Sequence, residues 1–171
     1  MYQAQQLAST QVRDRHYESR YEGRQPEAPK SMLSATTGRQ CRITLPPVPE
    51  SAGVARDFTA AALRKWHLDS LISDAVLIAS ELVTNAISHG TTPTAALARG
   101  QVELSWSYQV SRLICVITDQ VPEPPVVAPP DDEAESGHGL RIVAALSAAW
   151  GWTMLSTGDK AVWAALHLPP R

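Results

Sequence analysis

The stretch from Asp69 to Gly90 constrains the fold most, because it joins helical periodicity to a long apolar stripe. The apolar residues that recur at three- and four-residue intervals are Leu71, Ala75, Ile78, Ala79, Leu82 and Ala86. Glycine often ends a helix, and Gly90 directly follows His89. The pattern therefore predicts a helix from Asp69 to about His89 that is packed through this stripe.

The segments on either side of this helix indicate the fold class. Before it come "CRITLPP", typical of a strand stopped by proline, and "SAGVARDFTAAALRKWHL", a helix with Ser51 as its cap and Val54, Phe58 and Leu63 at helical spacing. After it, strands are predicted in "QVELSWSYQ", "SRLICVITD", "GWTMLST" and "KAVWAALHL", and a helix in "GHGLRIVAALSAAW". Runs of strands beside runs of helices predict an α+β two-layer sandwich, with helices on one face of a mainly antiparallel, mixed sheet.

The length of 171 residues is enough for one domain and too short for two ordinary ones. Residues 1–40 are polar and poor in large aliphatic side chains, so we predict a mobile N-terminal arm, with a short helix as the alternative. Residues 41–171 then form the domain. Its segment at about 120–138 is Pro-rich and acidic, and loops of this length are usually lids, binding loops or disordered.

The charge balance and the cysteines bear on location. A formal net charge of -2 gives no sign of a nucleic-acid or membrane surface. The N-terminus lacks the apolar core of a signal peptide, and we find no apolar run of about twenty residues. Cys41 and Cys115 match no metal spacing, so free buried thiols are expected, with a disulfide as the alternative. We therefore expect a cytoplasmic protein.

A line of polar residues lies beside the apolar stripe of the predicted long helix. Glu81, Asn85 and His89 follow one another at four-residue intervals, which places them on one side of the helix. A carboxamide oxygen suits one position on a Mg²⁺ ion that phosphate and water otherwise surround, and a nearby carboxylate could accept a proton. These three side chains either form part of a site for phosphate chemistry or make up an exposed polar face of the helix.

Two further features have a functional and a structural interpretation. Asp119 ends the apolar run "LICVITD", where it could bind a ligand amino group beside an apolar slot or simply end the strand in a turn. Gly137 and Gly139 come just before a predicted helix, where glycine allows an anion to approach the backbone closely. By themselves, two glycines at a helix start are weak evidence.

Taken in order, "ELVTNAISHG", "VITD", "ESGHGLRIVAALSAAWGW" and "GDKAVWAAL" resemble the GHKL family, whose members bind ATP in the Bergerat fold. Within that family the chain looks most like the small bacterial anti-sigma factor kinases. The resemblance implies that Asn85 holds Mg²⁺, that Glu81 is the general base and that Asp119 binds the adenine amino group. The backbone around Gly137, His138, Gly139 and Leu140 would close on the phosphates, with Arg141 as the nearest cation and the acidic loop as the ATP lid.

The same resemblance implies a function and its partners. The first hypothesis is a Mg-ATP-dependent serine/threonine kinase that binds a sigma factor and phosphorylates an antagonist protein, and that forms a homodimer. The second is a regulator that binds proteins without catalysis, with or without nucleotide. It is favoured by "QVPEPP" after Asp119, where the family usually carries a glycine, and by the absence of Lys and Arg between Asp119 and Gly137.

Overall fold

The structure, a computed structural model, describes residues 38–88, 100–121, 123–125 and 138–169. Within these ranges it contains five β-strands and three α-helices. The predicted arm at 1–40 lies outside the described residues except for its last three positions, where the first strand already begins at Arg39. Most of the predicted lid also lies outside them.

The strands form one antiparallel sheet. They are β1 (Arg39–Leu45), β2 (Val102–Tyr108), β3 (Arg112–Asp119), β4 (Ala149–Met154) and β5 (Lys160–His167). Their order across the sheet is β1-β2-β3-β5-β4, and each of the four pairings is antiparallel. The predicted α+β class is confirmed, and no parallel pair occurs among the described strands.

The helices form the second layer. They are α1 (Ser51–Lys65), α2 (Ile72–Ser88), which is preceded by a 3₁₀ turn at Asp69–Leu71, and α3 (Gly139–Leu146). Five of the six residues of the predicted stripe are buried in α2, namely Ala75, Ile78, Ala79, Leu82 and Ala86, whereas Leu71 is half-buried in the 3₁₀ turn. This helix contacts α1, α3 and the three central strands β2, β3 and β5, so it is the centre of the helical layer.

By length and composition alone, residues Asp69–Ser88 would also suffice to cross a membrane, contrary to the expectation from sequence. The packing gives a different reason for this composition. The buried side chains of α2 belong to the core that the helices share with the sheet, and Glu81 and Asn85 interrupt the apolar surface. The apolar character of the segment is explained by its place in the core.

One apolar core fills the space between the layers. Alternate residues of the strands face the helices, among them Leu104 and Trp106 of β2 and Ile117 of β3. The indole N–H of Trp106 donates a 2.9 Å hydrogen bond to the hydroxyl of Thr59 on α1. This bond satisfies both buried polar groups and ties α1 to the centre of the sheet.

The opposite face of the sheet carries a smaller cluster. Ile114, Trp163 and Ala165 are buried there, and the indole of Trp163 lies against Gly151 of β4, where a Cβ atom would approach it to 3.0 Å. Trp163 is thus a packing residue. Trp150 and Trp152 point the other way and pack against the main core.

Both cysteines are free, as expected. Cys41 of β1 and Cys115 of β3 each pair with Trp106 on opposite sides of β2, so one strand separates them. Burial raises the pKa of both thiols, and Cys115 is fully buried. They behave as small apolar side chains of the sheet.

Two details differ from the sequence predictions. Helix α3 ends at Leu146, because the backbone of Ser147 is extended and the chain then enters β4; the hydroxyl and backbone N–H of Ser147 donate the last bonds to the carbonyl of Val143. Ser51 does not cap α1: its hydroxyl donates to the carbonyl of Pro46 at 2.6 Å, and the cap position is Glu50.

Candidate functional site

The first residue of α3 lies directly on the polar side of α2. A Cβ atom at Gly139 would lie 2.6 Å from Oε2 of Glu81 and 3.3 Å from both Nδ2 and Oδ1 of Asn85. Only glycine leaves these side chains their present positions. The structure therefore brings Gly139 to Glu81 and Asn85, although more than fifty residues of sequence separate it from both.

Asn85 is half-buried, and its Nδ2 atom is buried with no hydrogen-bond partner among the described residues. A buried amide group without a partner costs stability, and a ligand or water molecule that accepts a hydrogen bond from Nδ2 would remove that cost. Glu81 is also half-buried. The alternative of an exposed polar face does not describe these two residues.

Asp119, the last residue of β3, is 3% exposed. Its Oδ1 atom accepts a 2.8 Å hydrogen bond from the backbone N–H of Val121 and lies 3.3 Å from the ammonium of Lys160. Its Oδ2 atom is buried and has no partner among the described residues. One oxygen of this carboxylate is thus held, and the other has no hydrogen-bond partner among the described residues.

Burial raises the pKa of Asp119 above its usual range. The N–H of Val121 and the ammonium of Lys160 lower this pKa, Asp159 raises it further, and burial is the strongest of these effects. A buried carboxylate with one free oxygen is well suited to accept a hydrogen bond from an amino group.

The residue after Asp119 is also fixed. The backbone N–H of Gly100 donates a 3.1 Å hydrogen bond to Oε1 of Gln120, and a Cβ atom at Gly100 would overlap the Gln120 side chain. The glycine expected after Asp119 in the family is absent, but a glycine from before β2 approaches this segment instead.

The remaining predicted site residues lie around the start of α3. His138 is exposed, Leu140 is buried in the main core and Arg141 is half-buried. Gly137 and His89 lie outside the described residues, as does the acidic part of the predicted lid. Within the described residues, no group of three His, Cys, Asp or Glu side chains could hold a metal ion.

The sequence predictions missed Lys160. It is the first residue of β5, is 4% exposed, and stands opposite Asp119 in the β3–β5 register. The available signal was one lysine at the start of the apolar run "KAVWAAL", next to a strand ending in aspartate. Antiparallel pairing of these two strands would have placed the opposite charges together.

Comparisons with known proteins bear on this geometry. Residues 45–164 match the family model described as the histidine kinase-like ATPase domain. The fold is similar to the crystal structure of the RsbU and RsbW domains of a Mycobacterium tuberculosis protein, with a TM-score of 0.56 at 20% sequence identity. That similarity covers 78% of this chain and 34% of the other, so the chain spans about a third of that structure's length, and it concerns the fold alone. No curated protein matches the chain in sequence.

Proposed function

The chain belongs to the histidine kinase-like ATPase domain family, and from this membership we propose that it is an ATP-binding regulatory protein of the anti-sigma factor type. In this proposal it binds a sigma factor and uses Mg-ATP to phosphorylate a serine or threonine of an antagonist protein. It acts in the cytoplasm, without direct contact to nucleic acid or membrane, and forms a homodimer. The family itself implies nucleotide binding; the partners and the phosphoryl transfer are the proposed part.

The contact of Gly139 with Glu81 and Asn85 carries the proposal. It places a carboxylate and a carboxamide beside the N-terminus of α3, where backbone N–H groups favour an anion such as phosphate. A kinase needs this combination, because the phosphates must be held next to a group that accepts the proton of the incoming hydroxyl.

The described residues fit Mg-ATP at two positions. The Oδ2 atom of Asp119, which has no partner among the described residues, can accept a hydrogen bond from the adenine amino group. Beside Gly139, the Nδ2 atom of Asn85 can donate to a phosphate oxygen, and its Oδ1 atom is the one that would bind Mg²⁺. One carboxamide suffices as a protein ligand for Mg²⁺ when phosphate oxygens and water complete the octahedron. Bound there, Mg²⁺ would neutralise charge on the phosphates.

Glu81 acts as the general base in the proposed reaction. A serine or threonine hydroxyl of the antagonist attacks the γ-phosphorus of ATP, and the Glu81 carboxylate accepts the hydroxyl proton as the new oxygen–phosphorus bond forms. The bond from the γ-phosphorus to its bridging oxygen breaks, and ADP leaves with that electron pair. Gly139 leaves the space in which the carboxylate stands.

A second candidate function is a regulator that binds protein partners without catalysis. It is favoured by the acidic composition between Asp119 and Gly137, where five carboxylates and no Lys or Arg would face a triphosphate unless they point to solvent. The unpartnered atoms of Asn85 and Asp119 favour a protein that binds nucleotide over the nucleotide-free form of this regulator, since a site without ligand has no use for either atom.

Calorimetric titration of Mg-ATP into the full chain tests ATP binding. We expect Asn85→Ala to weaken the affinity about tenfold and to remove most of its Mg²⁺ dependence, because the carboxamide ligand is lost. Thr84→Ala is the matched control, since Thr84 is the neighbouring exposed residue of α2. Asn85 is also the only asparagine in the sequence, so ¹⁵N-asparagine labelling reports on this side chain alone. If the folded wild-type protein does not bind ATP at millimolar concentration, the remaining candidate is the second function, protein binding without catalysis.

Gly139→Ala tests whether the close contact matters for phosphoryl transfer. Its Cβ atom would displace the Glu81 carboxylate from 2.6 Å, which is feasible because the carboxylate is the end of a flexible side chain. We expect the free energy of unfolding to change by less than about 1 kcal/mol and phosphoryl transfer to fall about tenfold as the base loses its position. Gly53→Ala in α1, where the nearest atom is 3.6 Å away, is the control. Unchanged transfer in Gly139→Ala would show that the contact is incidental.

A further inference from the structure

Lys160 is a buried lysine that the proposed reaction does not use. It is 4% exposed, although lysine is among the residues least often buried. Its ammonium lies 3.3 Å from Oδ1 of Asp119, and it donates a 3.0 Å hydrogen bond to the backbone carbonyl of Glu123. Burying an ammonium group is costly unless it is paired, so these two contacts are what retain it in the core.

The two contacts join the carboxylate of Asp119 to the chain that follows it. Val121 and Lys160 both engage Oδ1, one from each side of the strand end, whereas Oδ2 has no partner among the described residues. The bond to Glu123 fixes the backbone four residues beyond Asp119. The lysine thus determines which oxygen of the carboxylate is free and where the following segment runs.

We propose that Lys160 is a positioning residue for the nucleotide: it holds Asp119 by one oxygen, so that Oδ2 meets the adenine amino group, and its bond to the Glu123 carbonyl keeps the ammonium in place for this contact. The inference rests on the proposed function, and it adds a residue that acts through Asp119. It also explains how the site is shaped without a glycine after Asp119. Lys160 and Gln120 anchor that segment by side-chain bonds instead.

The charged groups around Asp119 also favour this role of Lys160. The groups that act on Asp119 are Lys160, the backbone N–H of Val121 and Asp159, and only the first two favour its ionised form, against the larger effect of burial. Without Lys160, burial and Asp159 would raise the pKa of Asp119 further. The carboxylate would then be protonated over a wider range of acid pH and would accept a hydrogen bond less well.

The experiment compares the wild-type protein with five full-length variants, among which Asp119→Asn alone is the reference for the double variant. Lys160→Met removes the charge and both contacts, Lys160→Gln keeps one donor, and Lys160→Arg keeps the charge. The double variant Lys160→Met/Asp119→Asn removes both charges and supplies a folded reference in case the single variant is unstable. Two quantities are measured: the ionisation of Asp119 in the nucleotide-free protein by ¹³C-carboxyl NMR, and the affinity for Mg-ATP as a function of pH.

We expect the ionisation of Asp119 to move to higher pH in Lys160→Met and Lys160→Gln and to stay near the wild-type value in Lys160→Arg. The affinity for Mg-ATP should fall about tenfold in Lys160→Met, with its acid decline moved to higher pH, and Lys160→Arg should restore most of it. On the Asp119→Asn background, Lys160→Met should cause no further loss, because Lys160 acts through the carboxylate.

Two results would overturn the inference while leaving ATP binding intact. One is an Asp119 titration that Lys160→Gln does not change, and the other is an equal loss of affinity on the wild-type and Asp119→Asn backgrounds. Absence of ATP binding by the wild-type protein would instead overturn the proposed function and, with it, the role of Lys160 toward the nucleotide. The NMR titration would then still establish whether Lys160 holds the carboxylate.

Discussion

Replacing Glu81 by glutamine is expected to slow phosphoryl transfer about 100- to 10,000-fold, the range that a positioned general base contributes. Glutamine preserves the size of the side chain beside Gly139, but its amide cannot accept the hydroxyl proton. ATP affinity should change little, because the proposed nucleotide contacts are made by Asn85 and Asp119. The measurements are single-turnover formation of ADP from Mg-ATP, with water or an added antagonist protein as acceptor, and calorimetry of ATP binding.

The control for this substitution is Glu50→Gln, which makes the same chemical change at an exposed residue that forms no side-chain cap bond. Its rate should equal that of the wild-type protein. Glu81→Asp is a further test, because it keeps a carboxylate on a side chain that is one methylene group shorter and so places it farther from Gly139. Equal turnover by Glu81→Gln and wild type would remove Glu81 from the role of base and favour the regulator without catalysis.

Elements whose own periodicity is strong could be predicted from the sequence. The run "SRLICVITD" predicted a strand that ends at Asp119, and β3 spans Arg112–Asp119. The part of the apolar stripe that lies in α2 is buried as expected, because its period is helical. These predictions rest on the spacing of apolar residues within one segment, and this spacing is the same in the unfolded and the folded chain.

Other features depend on partners that are distant in sequence. Val54 fits the helical spacing of α1 but is 46% exposed, whereas the polar Thr59 is fully buried because it accepts the hydrogen bond of the Trp106 indole. The run "SAAW" was predicted to extend α3, yet Trp150 pairs with Ala164 in the sheet. In each case a contact across the fold overrides the local propensity.

The features of the candidate site also fall into two groups, those that the sequence shows and those that only the fold creates. The residue types and spacing of Glu81, Asn85 and Asp119 were visible in the sequence, as was Gly139, the first residue of α3. The burial of the Asn85 amide and the free oxygen of Asp119 were not, because both depend on which side chains surround them. The pairing of Lys160 with Asp119 required the register between β3 and β5. Sequence thus indicated the chemistry, and the structure adds the atoms that a ligand must satisfy.

Asp119→Asn is expected to weaken ATP binding on the order of 100-fold, because it reverses a hydrogen bond rather than only removing a charge. Val121 and Lys160 both require an acceptor at the position of Oδ1, so the asparagine carbonyl will occupy it. The amide NH₂ then stands where Oδ2 was and meets the adenine amino group, donor against donor. Inosine triphosphate, whose 6-oxo group is an acceptor, should bind the variant better than ATP does. Comparing both nucleotides in wild type and variant by calorimetry tests this reversal.

The same substitution should remove the acid decline of ATP affinity. Burial raises the pKa of Asp119, so the wild-type carboxylate is protonated at a higher pH than an exposed aspartate. Wild-type affinity should fall as the pH drops through that raised pKa, about tenfold per unit below it, since the amino group donates to the ionised form. The pH dependence of stability has the opposite sign. The contribution of Asp119 to the free energy of unfolding falls as the pH rises from the pKa of the unfolded state to the raised pKa of the folded state. The affinities of wild type and variant for ATP should therefore converge at acid pH. Parallel profiles would show that the adenine amino group does not contact Asp119.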